Sequence, residues 1–314
     1  MSEARGKLEW LDAYLAWLST QRKLSGHTTA AYGRDLRELA AHTGDTAWPA
    51  VGHFDIRRLS SKIHAQGLAP RSIARKLSSW RGFFDWLSHE TALPVNPVDG
   101  IRAPKRGKSL PKALSVDDAV NLVGTPSRLH AEPEAAGLCN RAMFELLYSS
   151  GLRVSELAGL DLHYQKAAAS LGWIDIDNQE VLVTGKGNKM RKVPVGKAAM
   201  QALAAWLAVR PAPADGGNAL FLSSRGSRIS PRVVQLRLKA HGQAVGTPAN
   251  VHPHMLRHSF ASHVLQSSGD LRAVQEMLGH SSITSTQVYT ALDFQHLAKV
   301  YDQAHPRARI KEGK

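Results

Sequence analysis

The chain has 314 residues, of which 43% are hydrophobic, and it carries a formal net charge of +14 with a pI near 10.1. This length suggests two domains, each able to bury a core. The sequence contains no 18-residue apolar run and no N-terminal signal pattern, which predicts a cytoplasmic protein that is not inserted in a membrane. Cys139 is the single cysteine, which excludes an internal disulfide and fits a reducing compartment.

Both halves of the chain are basic. Residues 1–106 contain 16 Lys and Arg against 10 Asp and Glu, net +6, and residues 107–314 contain 24 against 16, net +8. The charge is therefore not confined to a tail. It favours a polyanionic partner, either nucleic acid or an anionic membrane surface, and composition does not choose between the two.

The first hundred residues repeat apolar side chains every three or four positions, which is the period of a helix with one buried face. We predict four helices: one from Lys7, one capped by Thr28 or Thr29, one near Asp55 and one from Pro70. Residues 1–93 are thus expected to form a small helical domain. Its polar faces are predicted to carry eight cations, which either contact phosphates or are simply solvated: Arg34, Arg37, Arg57, Arg58, Arg71, Arg75, Lys76 and Arg81.

Residues 94–112 break the apolar period with four prolines and five cations. Such a composition is typical of an interdomain linker. The remaining residues, 113–314, are expected to form a second domain. A basic linker between two basic domains could close a clamp around a duplex.

In the second domain, an apolar helix over residues 140–147 ends before G-L-R-V-S-E-L (residues 151–157), which leaves Arg153 at a loop-to-helix junction. Alternating segments over residues 173–195 then predict a short antiparallel sheet. Lys186 lies in its Gly-flanked hairpin, where a lysine is often only solvated. The pattern of a nucleotide-binding P-loop is absent.

The stretch H-M-L-R-H (residues 254–258) follows Pro253, which predicts a helix over residues 253–266. His254, Arg257 and His258 would then share one face. With one cysteine and no carboxylate at ligand spacing, the stretch does not predict a metal site. It predicts an anion site, followed along the chain by L-G-H (residues 278–280) and Tyr289.

With these motifs in this order, the chain resembles the tyrosine recombinase (phage integrase) family over essentially its whole length. Within that family, the contexts of Tyr289 and of residues 24–32 are most similar to the bacterial Xer recombinases, although Ala291 stands where these proteins often have His. The resemblance implies a mainly α fold with a small antiparallel β-sheet. It implies that residues 1–93 form a SAM-like, DNA-binding (core-binding) domain and that residues 113–314 form an α+β catalytic domain. The catalytic set that it implies is Arg153, Lys186, His254, Arg257, His280 and Tyr289.

The chemistry implied by the resemblance is phosphoryl transfer without a cofactor, metal or nucleotide. Two guanidiniums bind the phosphate oxygens as negative charge accumulates on them. Tyr289 attacks and His254 accepts its proton, because a phenol with a pKa of about 10 is a poor nucleophile. Lys186 protonates the leaving 5′ oxygen and His280 binds a non-bridging oxygen. The product is a 3′-phosphotyrosyl link that a second 5′-hydroxyl resolves.

Two features near this set, His258 and the apolar stripe after Tyr289, each have two possible interpretations. His258 either contacts the site or forms a supporting hydrogen bond. Glu156 is expected to be structural and to orient Arg153. The apolar stripe after Tyr289 is either an internal core helix or, as the resemblance favours, a segment that docks into a neighbouring protomer.

The implied function is resolution of chromosome dimers at a dif-type site by a cytoplasmic, nucleoid-associated protein. The implied partners are double-stranded DNA carrying a dif-like site, a XerD-like recombinase in a heterotetramer and a translocase of the FtsK type. Two alternatives stay open at this stage: a type IB topoisomerase, against which the Xer-like C-terminal segment argues, and a DNA-binding protein without catalysis, against which the complete residue set argues.

Overall fold

The protein is described by a computed structural model over residues 6–93, 95–105, 113–126, 134–165, 170–185, 190–247, 250–279 and 291–308, with the side chains of residues 291–296 excluded. These residues divide into two compact units, 1–110 and 111–314. Each unit has its own hydrophobic cluster. The predicted boundaries at residues 93 and 112 stay predictions.

The N-terminal unit consists of helices packed around aromatic side chains. Its elements are α1 (Lys7–Thr20), α2 (Gly26–Thr43), a 3-10 turn (Trp48–Ala50), α3 (His53–Ala65) and α4 (Pro70–Glu90). Tyr14, Trp48 and Phe83 are buried together at ring-centroid distances of 4.9 to 5.5 Å. The four predicted helices are therefore present, with Pro70 at the first turn of α4 as its fixed φ allows.

Two details of this unit differ from the sequence-based prediction. The cap of α2 is Ser25, whose Oγ accepts a hydrogen bond from the Thr28 backbone N–H at 3.3 Å, so the assignment to Thr28 or Thr29 is wrong. Lys76 does not lie on a solvated face. It is buried, with its Nζ 2.5 Å from Glu38 Oε2 and 3.3 Å from Asp35 Oδ1. These two carboxylates offset the cost of burying the ammonium charge on the inner side of α4.

The first part of the predicted linker packs onto the N-terminal unit. Val98 and Ile101 are buried in its cluster. Asn96 accepts a hydrogen bond from the Val98 N–H and donates one to the Arg81 carbonyl, and the Arg81 guanidinium in turn donates to the carbonyls of Val98 and Ile101. The part of the chain that packs on the N-terminal unit therefore extends past residue 93, because two buried apolar side chains and these hydrogen bonds hold it there.

The C-terminal unit surrounds a small sheet with helices. Strands β1 (Gly172–Asp175), β2 (Glu180–Thr184) and β3 (Met190–Pro194) pair antiparallel in the order β1-β2-β3. The helices are α5 (Val116–Gly124), α6 (Glu134–Ser150), α7 (Val154–Ala158), α8 (Lys197–Val209), α9 (Pro231–Ala244), α10 (Pro253–Ser268), α11 (Leu271–Leu278) and α12 (Ala291–Ala304). The predicted fold class, mainly α with a small antiparallel sheet, is confirmed.

Helix α6 occupies the centre of this unit and packs against α5, α8 and α10. Every side chain from Ala142 to Ser150 is buried. This explains why no clear amphipathic period marks the helix, since a helix covered on all sides has no polar face. Its C-terminal end leads directly into the turn that carries Arg153.

Helix α12 packs within its own chain. Leu297, Tyr301 and Ala304 are buried in the C-terminal cluster, and the Tyr301 hydroxyl hydrogen-bonds Ser149 Oγ at 2.6 Å. Leu297 and Tyr301 of the predicted apolar stripe are therefore part of the core of this chain. Docking of this segment into a neighbouring protomer stays a prediction. Across the described residues, helices with the length and apolar character to cross a membrane are absent.

Candidate active site

Arg153 lies at the start of α7, directly after a turn that only glycine fits. Gly151 has φ +55°, and a Cβ there would lie 2.4 Å from Cδ1 of buried Phe260. The turn therefore depends on the absent side chain. It ends α6 and places Arg153 as the N-cap of α7, where its side chain is 35% exposed.

Glu156 holds Arg153 in place from within the same turn. Its Oε2 accepts from the Arg153 backbone N–H at 2.8 Å, and its Oε1 accepts from Arg153 Nη1 at 2.8 Å. Burial works against the charge on this carboxylate, but the hydrogen bonds and charge of Arg191, followed by those of Arg153, hold its pKa at about 2. Glu156 is therefore ionised at neutral pH, and its predicted contact with Arg153 is confirmed.

Arg257 connects two other segments of the unit. It extends from α10 into the interior, where Nη1 donates to the Gly151 carbonyl at 2.5 Å and Nη2 donates to the Leu278 carbonyl at 2.6 Å. One carbonyl lies two residues before Arg153 and the other lies two residues before His280. The guanidinium thus fixes the turn that carries one predicted site residue and the helix end that precedes another.

The electrostatic surroundings of Arg257 fit a site for an anion. Desolvation by burial and the nearby charge of Arg153 lower its pKa to about 10, against an opposing effect of Glu156. Its guanidinium remains protonated at neutral pH. A group whose positive charge is opposed by burial and by a second cation gains from a bound anion, because the anion relieves both costs.

His254 and His258 lie on the exposed side of α10, and Arg257 between them is buried. The three positions lie within one helix at the predicted i, i+3 and i+4 spacing, but the Arg257 guanidinium turns inward to reach backbone carbonyls while the two histidines stay exposed. The helix itself begins at Pro253 as predicted. It is capped by His252, whose Nδ1 accepts from the Met255 N–H at 3.2 Å.

Lys186, His280 and Tyr289 lie outside the described residues, so their predicted places in the site are untested. The flanking elements are described. Strands β2 and β3 pair as far as Thr184 with Met190, and residues 185–189 join them. Helix α11 ends at Gly279 in the left-handed region, φ +64°, one residue before His280. Helix α12 begins two residues after Tyr289.

Sequence reasoning missed Arg191, a buried cation of β3. It donates from Nη1 and Nη2 to the two oxygens of Glu156, at 2.9 and 2.8 Å, and from Nε to the Met277 carbonyl at 2.9 Å. A signal was available in the alternation of β3, where Arg191 takes an inward position between exposed Met190 and Lys192. A cation at an inward strand position requires an anionic partner.

The described part of the site combines three guanidiniums with one carboxylate, Glu156. Arg153 and Arg257 are directed to one region of the C-terminal unit, and Arg191 lies behind Glu156. Two guanidiniums in one region are chemically suited to a singly charged phosphodiester, because their N–H groups can form forked hydrogen bonds to its oxygens. Among the described residues, no group of three or more His, Cys, Asp or Glu side chains is arranged to hold a metal ion.

Comparison with known proteins agrees with this geometry. Residues 112–296 match the model of the phage integrase family, and residues 11–91 match the N-terminal SAM-like domain of phage integrases. The tyrosine recombinase XerC 1 of Ralstonia nicotianae is 55% identical, over 96% of this chain and 94% of that protein. The tyrosine recombinase XerC of Alcanivorax borkumensis is 47% identical, over 99% and 98%.

Solved structures support the fold. A lambda integrase tetramer bound to a Holliday junction superimposes with a TM-score of 0.67 at 19% identity, over 91% of this chain and 81% of that one. At this identity the likeness concerns the fold alone. The relatives, by contrast, match along nearly their whole length at 44% identity and above. The chain therefore belongs to the phage integrase family and, as a tyrosine recombinase, is a site-specific DNA recombinase.

Proposed function

We propose that this recombinase cuts one DNA strand by attack of Tyr289 on a phosphodiester that Arg153 and Arg257 bind, and that it forms a 3′-phosphotyrosyl intermediate. The observation that carries the proposal is the pair of Arg257 hydrogen bonds to the Gly151 and Leu278 carbonyls. They join the turn before Arg153 to the helix end before His280. A transition state that gains negative charge is stabilised by cations already fixed in place.

The other members of the predicted set have distinct tasks in this proposal. His254, on the exposed side of α10, accepts the phenolic proton as Tyr289 attacks. Lys186, in the connection between β2 and β3, protonates the leaving 5′ oxygen, and His280 binds a non-bridging oxygen. The bond energy is kept in the phosphotyrosyl link, so that a 5′-hydroxyl from another strand can attack and release Tyr289.

The biological reaction that we propose is resolution of chromosome dimers at a dif-type site. The support is the identity of 44 to 55% to curated proteins named tyrosine recombinase XerC. The expected partners are double-stranded DNA with that site, a XerD-like recombinase in a heterotetramer and an FtsK-type translocase that controls the reaction. We accordingly expect the chain in the cytoplasm, at the nucleoid.

The chemistry is tested with a suicide substrate, a dif-type duplex nicked beside the cleavage position so that the 5′-hydroxyl fragment is lost. We expect the parent chain to form a covalent protein–DNA adduct, because religation is then blocked. Tyr289→Phe should bind the same duplex and form none. EDTA should have no effect. An adduct that survives Tyr289→Phe, or one that EDTA abolishes, would contradict the mechanism.

The partner requirement is tested separately with an intact duplex pair. We expect a Holliday junction only when this chain and the XerD-like protein of the same organism are both present, because each would cut one strand of the site. Relaxation of a supercoiled plasmid by this chain alone, without a junction, would instead favour a topoisomerase. That outcome would overturn the proposed reaction but not the tyrosine chemistry.

A further inference from the structure

The buried contact between Arg191 and Glu156 lies outside the residue set that the proposed reaction uses. The Arg191 and Glu156 side chains are 4% and 7% exposed, and Arg153, which shares the same carboxylate, is 35% exposed. The three groups therefore form a chain from the interior of the unit to its surface. Glu156 is the central member, because both guanidiniums donate to it.

Arg191 also contacts the segment that leads to His280. Its Nε donates to the carbonyl of Met277, in the last turn of α11. Its side chain lies directly under Gly279, where a Cβ would be 3.0 Å from Arg191 Cδ. Gly279 is the C-cap of α11 with φ +64°, so the helix ends at the residue that the Arg191 side chain contacts.

The position of Arg191 in the fold links these contacts to the hairpin. It is the second residue of β3 and pairs with Val183 of β2, so it lies close to the strand ends that residues 185–189 connect. One side chain thus joins three segments, each of which carries one residue of the proposed set: the start of α7, the end of α11 and the β2–β3 hairpin.

We propose that Arg191 is a positioning residue for strand cleavage, which fixes the guanidinium of Arg153 through Glu156 and the segment before His280 through the Met277 carbonyl. This inference rests on the proposed function. Arg191 does not touch the phosphate. Its task is to keep Glu156 ionised and oriented, so that Arg153 presents its free N–H groups to the DNA before the phosphate arrives.

The contacts require a guanidinium rather than any cation. Arg191 uses two parallel N–H groups on the carboxylate and a third, in the same plane, on the carbonyl. A lysine ammonium can approach one carboxylate oxygen but does not reproduce this planar fork. Replacement by lysine therefore keeps the charge and removes the geometry, which separates the two contributions.

The test measures single-turnover adduct formation on the nicked suicide duplex, together with duplex binding and thermal unfolding, for the parent, Arg191→Lys, Arg191→Met and Glu156→Gln. We expect Arg191→Lys to bind the duplex within about twofold of the parent and to cleave at least about tenfold more slowly, because misplacement of a catalytic group reduces rate more than binding. Arg228→Lys is the matched control, since Arg228 pairs with Asp161 and with the carbonyls of Ala158 and Leu160. It should cleave at the parental rate.

The pH profile of cleavage provides a readout that lost stability alone would not change. The charged groups facing the Glu156 carboxylate are Arg153 of the same turn, Arg191 of β3 and Arg257 of α10. In the parent its pKa of about 2 keeps the Glu156 carboxylate charged at the working pH, so any acid limb of the parent belongs to the proposed base His254. In Arg191→Met the pKa of Glu156 rises, so the cleavage rate of this variant relative to the parent should fall as the pH decreases, whereas the relative rate of Glu156→Gln should stay constant.

Three results would overturn the inference. The first is cleavage by Arg191→Met at a rate within twofold of the parent. The second is an equal loss of duplex binding and cleavage in Arg191→Lys. The third is a double variant Arg191→Met/Glu156→Gln whose cleavage rate is reduced by the product of the two single reductions. If Arg191 acts through Glu156, the double variant should be no slower than the slower single variant. Adduct formation by the parent is the separate check on the proposed function, and its absence would refute that function instead.

Discussion

At the scale of single residues, Arg153 and Arg257 are expected to contribute differently to the stability of the fold, although we propose that both bind the phosphate. Arg257 satisfies two backbone carbonyls from a buried position, whereas Arg153 is partly exposed and shares Glu156 with Arg191. Arg257→Ala should therefore lower the free energy of unfolding by about 2–6 kcal/mol, since it leaves two carbonyl acceptors without a donor and each costs about 1–3 kcal/mol.

Arg153→Ala should cost about 1 kcal/mol or less, because Glu156 retains Arg191 as a partner. Both variants should lose most strand cleavage. Chemical denaturation monitored by tryptophan fluorescence measures the difference. Equal destabilisation by the two substitutions would show that the hydrogen bonds from Arg257 to the two carbonyls do not contribute to the free energy of unfolding.

Glu156 gives the catalytic unit a pH dependence of defined sign. Its pKa is lowered from 4.5 to about 2 in the folded state, against the effect of burial, by Arg191 and then Arg153. A carboxylate with a depressed pKa contributes stability above the unfolded pKa and loses it as the pH falls toward the folded one. The gap in unfolding temperature between the parent and Glu156→Gln should thus narrow between pH 4.5 and 2.

Thermal unfolding in a pH series measures this gap, and a gap that stays constant over the window would contradict the assigned partners.

The sequence identified Arg153, Arg257 and the contact of Glu156 because they stand in short motifs. It did not identify Arg191, whose partners lie 35 and 86 residues away along the chain. Only the fold brings these groups together.

At the scale of elements, the sequence predicted most helices from their apolar period and misplaced one cap. Ser25, Thr28 and Thr29 all suit an N-cap, and the choice depends on backbone angles that the sequence does not contain. The sequence-based analysis gave no helix to residues 271–278, which the structure places in α11. That helix is only two turns long, which is too short for a period to stand out.

The cap of α2 offers a direct check at this scale. Ser25→Ala removes the hydroxyl that accepts from the Thr28 N–H, and we expect a loss of about 1 kcal/mol in unfolding free energy. Thr29→Ala is the matched control, because its hydroxyl only donates to the Ser25 carbonyl at 3.3 Å. A larger loss of unfolding free energy in Thr29→Ala than in Ser25→Ala would indicate that Thr29, and not Ser25, caps α2.

At the scale of the whole molecule, the net charge of +14 predicts DNA binding that weakens steeply with salt. The structure divides the cations of the N-terminal unit into two groups. Arg34, Arg57 and Arg71 are exposed and have no ion pair within the described ranges, whereas Arg37 lies 3.3 Å from Asp12. Composition showed the total charge but not which cations the protein's own carboxylates already neutralise.

Arg34→Ala should weaken duplex binding and reduce the slope of log affinity against log salt by about 1, the value for one lost phosphate contact. Arg37→Ala, on the same helix, should change the slope less, because Asp12 already offsets its charge. Fluorescence anisotropy over a salt series measures both slopes. Equal slopes for the two variants would show that α2 does not present Arg34 to the phosphates.

The proposed reaction joins Tyr289 covalently to the 3′ phosphate of the cut strand. Mass spectrometry of the trapped adduct after proteolysis and nuclease digestion tests this bond directly. We expect one modified peptide with the nucleotide on Tyr289, linked through a 3′ phosphate. A nucleotide on any other residue, a 5′ linkage, or cleaved DNA without a covalent peptide would contradict it.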